Sequence, residues 1–245
     1  MITENNLLTR IYFNIFPEKF VNYHVYRQKL FVRKLASRIK PHQKLIDIGA
    51  GSCQYRNYFE APKYFSQDVV DNDDSTIDYI SGLDPIPVEA DSFDFVLCTQ
   101  VLEHLKEPNS AFSEFYRILV PGGELHLTTH QSFEEHMAPN DFFRFTRYGL
   151  KYLAEINGFT VIEISPQGGR GIALAKEIQV LVPRLCRNRV IELIYYFLFS
   201  VPLFFVITDN KTATTITVPI SIIGVLQTLF CFESFSIHYI LYLFF

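Results

Sequence analysis

The sequence predicts an α/β fold with a mostly parallel sheet and helices on both faces. Over residues 42–167, short apolar segments typical of buried strands alternate with amphipathic segments typical of helices. A glycine-containing turn, 49–51, directly follows the first apolar segment. The chain has 245 residues, of which 49% are hydrophobic, and this is enough for one large core.

The predicted elements follow one another in a regular order. Residues 1–41 are predicted to be helical and to end at Pro41, because apolar positions recur between basic ones. Six strands are predicted at Lys44–Ile48, Tyr64–Val70, Ile77–Ile80, Phe93–Thr99, Glu124–Thr129 and Phe159–Ile164. Helices are predicted at Asn109–Leu119, stopped by the turn Pro121-Gly122-Gly123, and at Tyr148–Asn157, capped by Gly158.

The turn Asp47-Ile48-Gly49-Ala50-Gly51 is the first candidate binding site. Its glycines allow a tight bend and a close approach of the backbone to a ligand. Gln54 stands where a dinucleotide fingerprint has its third glycine, which disfavours an NAD-dependent oxidoreductase. The acidic Asp47 disfavours a pyrophosphate and suits a cationic ligand without phosphate, such as a sulfonium. Taken alone, the turn is equally typical of an ordinary strand-to-helix connection.

Asp68 ends the second predicted strand, 21 positions after Asp47. A carboxylate at this place can accept hydrogen bonds from both hydroxyls of a ribose. The alternative is a solvated loop acid, since Asp71, Asp73 and Asp74 lie nearby.

Two longer segments make the pattern specific. The fourth strand begins with Ser92-Phe93-Asp94 and is followed by Val101-Leu102-Glu103-His104, and Arg117–Gly123 reads RILVPGG. With the glycine turn and Asp68, these residues resemble the class I S-adenosylmethionine-dependent methyltransferases of the type 11 (UbiE-like) group over about residues 43–170. The resemblance implies a methyltransferase with a Rossmann-like, seven-stranded sheet, an antiparallel last strand, and S-adenosylmethionine as cofactor.

The resemblance also implies roles for individual residues. Asp47, Gly49, Ala50 and Gly51 would bind the amino-acid part of the cofactor, and Asp68 would bind the ribose. Gly82 and Leu83 would flank the adenine, and Thr99, Gln100 and Val101 would lie near the reacting methyl group. Two positions depart from the pattern. Cys53 replaces a frequent third glycine, and Gly82 replaces a frequent acid, so adenine contacts are expected from the backbone or from Asp84.

Candidate residues for the acceptor side follow strands four and five. His104, His130 and His136 are candidate bases for a hydroxyl acceptor, although His104 also suits a structural or capping role. Residues 136–146 resemble a segment of uncharacterised type 11 members, which makes Asp141 a further catalytic candidate. Arg144 and Tyr148 are candidate substrate-binding residues in the same region; alternatively, Asp141 and Arg144 form an internal ion pair. The four cysteines form no CxxC pair, and no metal site is predicted.

The C-terminal third is strongly apolar. The predicted segments are helical 1–41, the methyltransferase core 42–167, an apolar and basic helical insertion 168–212 between strands six and seven, the last core strand 213–227, and an apolar tail 228–245. The last strand is predicted at Thr214–Val225 despite Pro219. Three readings of 190–207 stay open, namely a cap over the acceptor site, a helix on a membrane surface, which we prefer, and a transmembrane helix.

These observations lead to a functional hypothesis. The net charge of −4 disfavours a nucleic-acid binder. No signal peptide is predicted, so we expect a cytoplasmic protein, peripheral on the inner face of the membrane through residues 184–207. The predicted function is methyl transfer to a small-molecule, lipid-linked or saccharide acceptor. The alternative is a membrane-associated binding or scaffold protein on a degenerate methyltransferase fold.

Overall fold

The structure is a computed structural model and describes residues 23–59, 63–71, 77–167 and 238–244. The chain divides into two units. One comprises Arg27–Gln167 and His238–Phe245, and the other comprises Met1–Tyr26 and Gly168–Ile237. Of the second unit, only residues 23–26 are described. All the strands below therefore belong to the first unit.

Seven strands of the described residues form one sheet. They are β1 Lys44–Ile48, β2 Lys63–Asp68, β3 Tyr79–Ile80, β4 Phe93–Thr99, β5 Leu119–His130, β6 Thr160–Pro166 and β7 His238–Phe244. Their order is β3-β2-β1-β4-β5-β7-β6, with β1 to β5 parallel and β7 antiparallel to both neighbours. The predicted Rossmann-like α/β sheet is confirmed. The order reverses between β1 and β4, so a ligand crevice is expected at their carboxyl ends.

Three helices of the described residues accompany the sheet: α1 Tyr23–Ala36, α2 Pro108–Ile118 and α3 Arg147–Ile156. On α1, Phe31 and Leu35 are buried in a cluster with Leu45 of β1 and Leu97 of β4, which explains the apolar periodicity of this segment. The helix ends at Ala36, five residues before the predicted end at Pro41. Residues 1–22 of the predicted helical segment lie outside the described residues.

The segment Pro121-Gly122-Gly123 is part of β5 and not a turn before it. Strand β5 begins at Leu119, directly after α2. Its pairing with β4 shifts register there, because Phe93 pairs with Leu119 whereas Phe95 pairs with Glu124. The extra residues form a bulge within the strand, where Gly122 has a positive φ of 84°, which glycine adopts without strain.

The predicted position of the last strand was wrong. It lies at His238–Phe244, within the segment that was predicted as an apolar tail, and not in 213–227. Because β7 is hydrogen-bonded to strands on both of its edges, a proline in it would remove a ladder hydrogen bond. The predicted segment contains Pro219, whereas HYILYLF contains no proline. Residues 213–227 themselves lie outside the described residues.

The predictions for the apolar insertion concern residues that the structure does not describe. Both 168–212 and the stretches 184–207 and 190–207 fall there. Among the residues that are described, none of the helices combines the length and the apolar character required to cross a membrane. The three readings of 190–207 stay predictions.

Candidate active site

The glycine turn follows β1 at the point where the sheet order reverses. Gly49 and Gly51 have positive φ angles of 65° and 54°, which glycine adopts without strain. A Cβ on Gly49 would collide with the side chain of Val101, so this position requires glycine. Beside Gly51, no described atom apart from its chain neighbours lies within 4 Å of the place that a Cβ would take. The turn therefore packs tightly on the β4 side and is open at Gly51.

Asp47 is a buried acceptor next to this open turn. Its side chain is 1% exposed, and its Oδ2 accepts a hydrogen bond of 2.6 Å from the hydroxyl of Tyr64. Its Oδ1 is buried and accepts no hydrogen bond from any described residue. Burial raises the pKa of Asp47 to about 7, although the Tyr64 hydroxyl opposes this. A cationic group bound at Oδ1 would satisfy both the unfilled acceptor and the charge.

Asp68 and Gln67 tie the end of β2 to the glycine turn. The Oδ2 of Asp68 accepts from the Gly51 N–H at 2.8 Å. The Gln67 Oε1 accepts from the Gly49 N–H at 3.3 Å, and its Nε2 donates to the carbonyl of Ser81 just after β3. The structure therefore places Asp68 beside the glycine turn, and its ribose role stays a prediction. Sequence reasoning missed Gln67, which belongs to no motif.

The other predicted cofactor residues follow β3 and β4. Gly82 and Leu83 come directly after Ser81, whose N–H donates to the Asp68 carbonyl at 3.0 Å. Gln100 has a positive φ of 57° and donates from Nε2 to the Thr128 hydroxyl at 2.8 Å. The predicted residues thus lie at the carboxyl ends of four neighbouring strands, β3, β2, β1 and β4. One tyrosine that sequence reasoning missed completes this side, namely Tyr64, whose hydroxyl donates to Asp47.

Three imidazoles meet beyond β4 and β5, and we call His104, His130 and His136 the histidine cluster. The ring centroids of His104 and His136 are 4.8 Å apart, and those of His130 and His136 are 5.3 Å apart, both edge to face. Phe133 stacks on His130 at 4.4 Å. The backbone N–H of His104 donates to the carbonyl of Val101, whose side chain contacts Gly49. The histidine cluster therefore lies one short turn from the glycine turn.

Glu103 lies buried beneath the histidine cluster. It is 0% exposed, its Oε2 accepts from the Thr129 hydroxyl at 2.7 Å, and its Oε1 lies 3.2 Å from His130 Nε2. Burial raises the pKa of Glu103 above its usual range. The carbonyl of Glu103 also accepts from the N–H groups of Phe142 and Phe143. The sequence showed Glu103 only as part of a motif, because its burial follows from the tertiary packing.

Asp141 and Arg144 form the internal ion pair that sequence analysis left as one alternative. Two guanidinium nitrogens of Arg144 contact the two carboxylate oxygens at 2.6 and 2.7 Å, and the His136 N–H donates to Asp141 Oδ2 at 2.9 Å. Arg144 holds the pKa of Asp141 well below its usual range, which makes this carboxylate a poor base. Tyr148 on α3 is 69% exposed, and its hydroxyl accepts from Arg147.

Comparison with protein families decides which cofactor this crevice serves. Residues 46–127, from β1 into β5, match the family described as a methyltransferase domain of type 11. The chain contains a class I, S-adenosylmethionine-dependent methyltransferase domain. The predicted family, enzyme class and cofactor are confirmed. The crevice fits this cofactor, because Asp47 Oδ1 is an unfilled acceptor for an ammonium group and the turn is open at Gly51.

Several solved structures share the fold of this methyltransferase domain at low sequence identity. A candidate sarcosine dimethylglycine methyltransferase from Galdieria sulphuraria is 12% identical, with a TM-score of 0.56, covering 96% of this chain and 97% of that one. Phosphoethanolamine N-methyltransferase 2 from Haemonchus contortus is 16% identical, with a TM-score of 0.55, covering 89% and 52%. The [4+2]-cyclase SpnF is 15% identical, with a TM-score of 0.55, covering 88% and 80%. A search of curated proteins finds no match.

Proposed function

We propose that this domain transfers a methyl group from S-adenosylmethionine to a hydroxyl group of a small molecule bound at the histidine cluster. The proposal rests on the contact of three imidazoles with one another close to Val101. The side chain of Val101 packs on the glycine turn. A hydroxyl is a poor nucleophile until it loses its proton, and imidazole has a suitable pKa for taking it. A saccharide or a lipid-linked alcohol provides the same group.

The cofactor side is formed by the turn and two carboxylates. Asp47 would bind the ammonium group, the backbone at Gly49 and Gly51 would lie along the amino-acid part, and Asp68 would bind the ribose. When bound, S-adenosylmethionine supplies an electrophilic methyl group on a sulfonium centre. The residues of the chain contribute mainly by holding the acceptor oxygen in line with it, which can supply several kcal/mol.

His104 is the residue that we propose as general base. Its Nδ1 lies 2.6 Å from the carbonyl oxygen of Asn140. Because a carbonyl only accepts, Nδ1 carries the proton and Nε2 keeps its lone pair. The side chain is partly exposed, so an acceptor can reach it. His104 Nε2 would take the hydroxyl proton as the new oxygen–methyl bond forms.

The test is transfer of a labelled methyl group by the purified chain into soluble and lipid fractions of a cell extract. We expect label in one fraction, and we expect His104→Gln to lower kcat by roughly 10²- to 10⁴-fold with unchanged cofactor affinity. His42→Gln, an exposed histidine before β1, serves as the matched control. The proposal is refuted if a folded sample binds no S-adenosylmethionine at millimolar concentration, or if His104→Gln retains the full rate.

A labelled-methyl assay is needed because the fold is also that of SpnF, a [4+2]-cyclase. No observation on the described residues favours the alternative of a membrane-associated scaffold protein. Asp47→Ala separates it from the enzyme, because a scaffold role would survive loss of the cofactor. Association with a membrane through residues 184–207 stays a prediction, which the partition of the protein between membrane and soluble fractions tests.

A further inference from the structure

We infer that Glu103, His130 and His136 form a binding site for one first-row divalent metal ion on the acceptor side of the crevice. Each residue offers one ligand atom, and these atoms lie within 4.8 Å of one another. Two imidazoles and one carboxylate are the ligand set with which proteins hold catalytic Zn²⁺ or Fe²⁺ while leaving a position open. The sequence did not predict this site, because its ligands are far apart in the chain and include no cysteine.

The distance between Glu103 and His130 suits a shared ion. Oε1 of Glu103 lies 3.2 Å from Nε2 of His130. Two ligands that are each about 2.0–2.1 Å from one tetrahedral ion lie about 3.3 Å apart, so a small adjustment accommodates the metal. Both side chains are buried, with 0% and 3% exposure, and a buried carboxylate is costly without a cation beside it. A divalent ion would provide that charge.

The third ligand is oriented by hydrogen bonds behind it. Nδ1 of His136 lies 3.2 Å from the carbonyl oxygen of Glu134, which implies that Nδ1 donates and Nε2 carries the lone pair. An imidazole that donates its other N–H to a carbonyl is the usual arrangement of a metal-ligating histidine. The backbone N–H of His136 also donates to Asp141, which Arg144 holds in place. The ligand is therefore fixed before an ion arrives.

A second set of residues, His104, His136 and Asp141, also has ligand atoms within 4.8 Å, but it suits a metal less well. Both oxygens of Asp141 are already bonded to the guanidinium of Arg144. A metal at Asp141 would have to break this ion pair and lie beside a fixed positive charge. In contrast, the contacts given above for the Glu103 carboxylate are with Thr129 and His130, neither of which carries a fixed positive charge.

The chemical role of the ion rests on the proposed function, whereas its binding does not. In the open position the ion would take an oxygen of the acceptor and lower the pKa of that hydroxyl, as metals do for bound water. The hydroxyl proton would pass to His104 and then to solvent, and the oxygen–methyl bond would form as the sulfur–methyl bond of S-adenosylmethionine breaks and S-adenosylhomocysteine leaves. The site therefore favours alcohols or phenols over amines as acceptors.

The test is direct titration of the full chain, after treatment with a chelator, with Zn²⁺ in calorimetry and Co²⁺ in absorption spectroscopy. We expect one ion per chain. His136→Ala and Glu103→Gln should weaken binding by at least about 10- to 100-fold, while His42→Ala should bind as the wild type does. His136 is partly exposed, so its variant is expected to fold even if Glu103→Gln does not, and circular dichroism checks both.

The inference is overturned if the wild type binds no ion at millimolar concentration, or if His136→Ala binds with unchanged stoichiometry and affinity. S-adenosylmethionine binding is measured on the same samples. Loss of the metal result with intact cofactor binding and methyl transfer removes only this inference. Loss of cofactor binding with intact metal binding removes only the proposed function.

Discussion

Replacing Asp47 by asparagine should stabilise the domain and weaken its cofactor binding at the same time. Burial raises the pKa of this carboxyl from 3.8 to about 7. Between these two values the unfolded chain has released a proton that the folded chain still holds. Stability therefore falls as pH rises through this window, and the full penalty is present above about pH 7. Asparagine keeps the size and the Tyr64 acceptor but has no proton to lose.

The magnitude follows from the size of the shift. A rise of about three pKa units corresponds to ~4 kcal/mol, at ~1.36 kcal/mol per unit. The unfolding free energy of Asp47→Asn minus that of the wild type should therefore rise by up to ~4 kcal/mol between about pH 4 and about pH 8. Cofactor affinity should change in the opposite direction, with a loss of roughly 10- to 100-fold, because a charged hydrogen bond to the ammonium group is removed.

Urea unfolding at several pH values measures the first quantity, and calorimetry with S-adenosylmethionine measures the second. Asp91→Asn is the matched control, since Asp91 is exposed near the opposite end of β4 and already has the positive φ that asparagine tolerates. The reasoning is refuted if Asp47→Asn is less stable than the wild type above pH 7, or if the difference between the two proteins does not change with pH.

Four further substitutions test packing and ion pairing in the domain. Gly49→Ala should cost roughly 1–3 kcal/mol of unfolding free energy and abolish cofactor binding, because its Cβ would collide with Val101. Gly82→Ala should leave urea unfolding unchanged, because no described atom apart from its chain neighbours lies within 4 Å of the new Cβ. Glu114→Gln should cost ~1–3 kcal/mol in the same assay, because the amide keeps an acceptor for the backbone N–H of Ile86 but loses the two-oxygen ion pair with Arg117. Arg144→Lys cannot bridge both oxygens of Asp141, so amide exchange in 136–145 should be at least about tenfold faster, and unchanged exchange would contradict the assigned ion pair.

The sequence by itself determined the first six strands, in their order along the chain, and the glycine turn that follows β1. These features depend on local patterns, since a short apolar run such as Phe93–Thr99 between polar flanks is typical of a buried strand. Gly49 is required by its positive φ and by the close approach of Val101, and it stands with Asp47 and Gly51 in a short contiguous motif. Asp68 follows from the same logic, because parallel strands end at one edge of the sheet.

Only the tertiary structure decided which apolar segment becomes the last strand and which side chains meet on the acceptor side. Both 213–227 and 238–244 are apolar in sequence, and the structure shows the segment 238–244 paired on both of its edges. Glu103 and His130 are 27 positions apart, and their contact depends on the register of β4 against β5. Periodicity in the chain records which face of an element is buried, but it does not record which buried or half-buried polar groups of different elements come together.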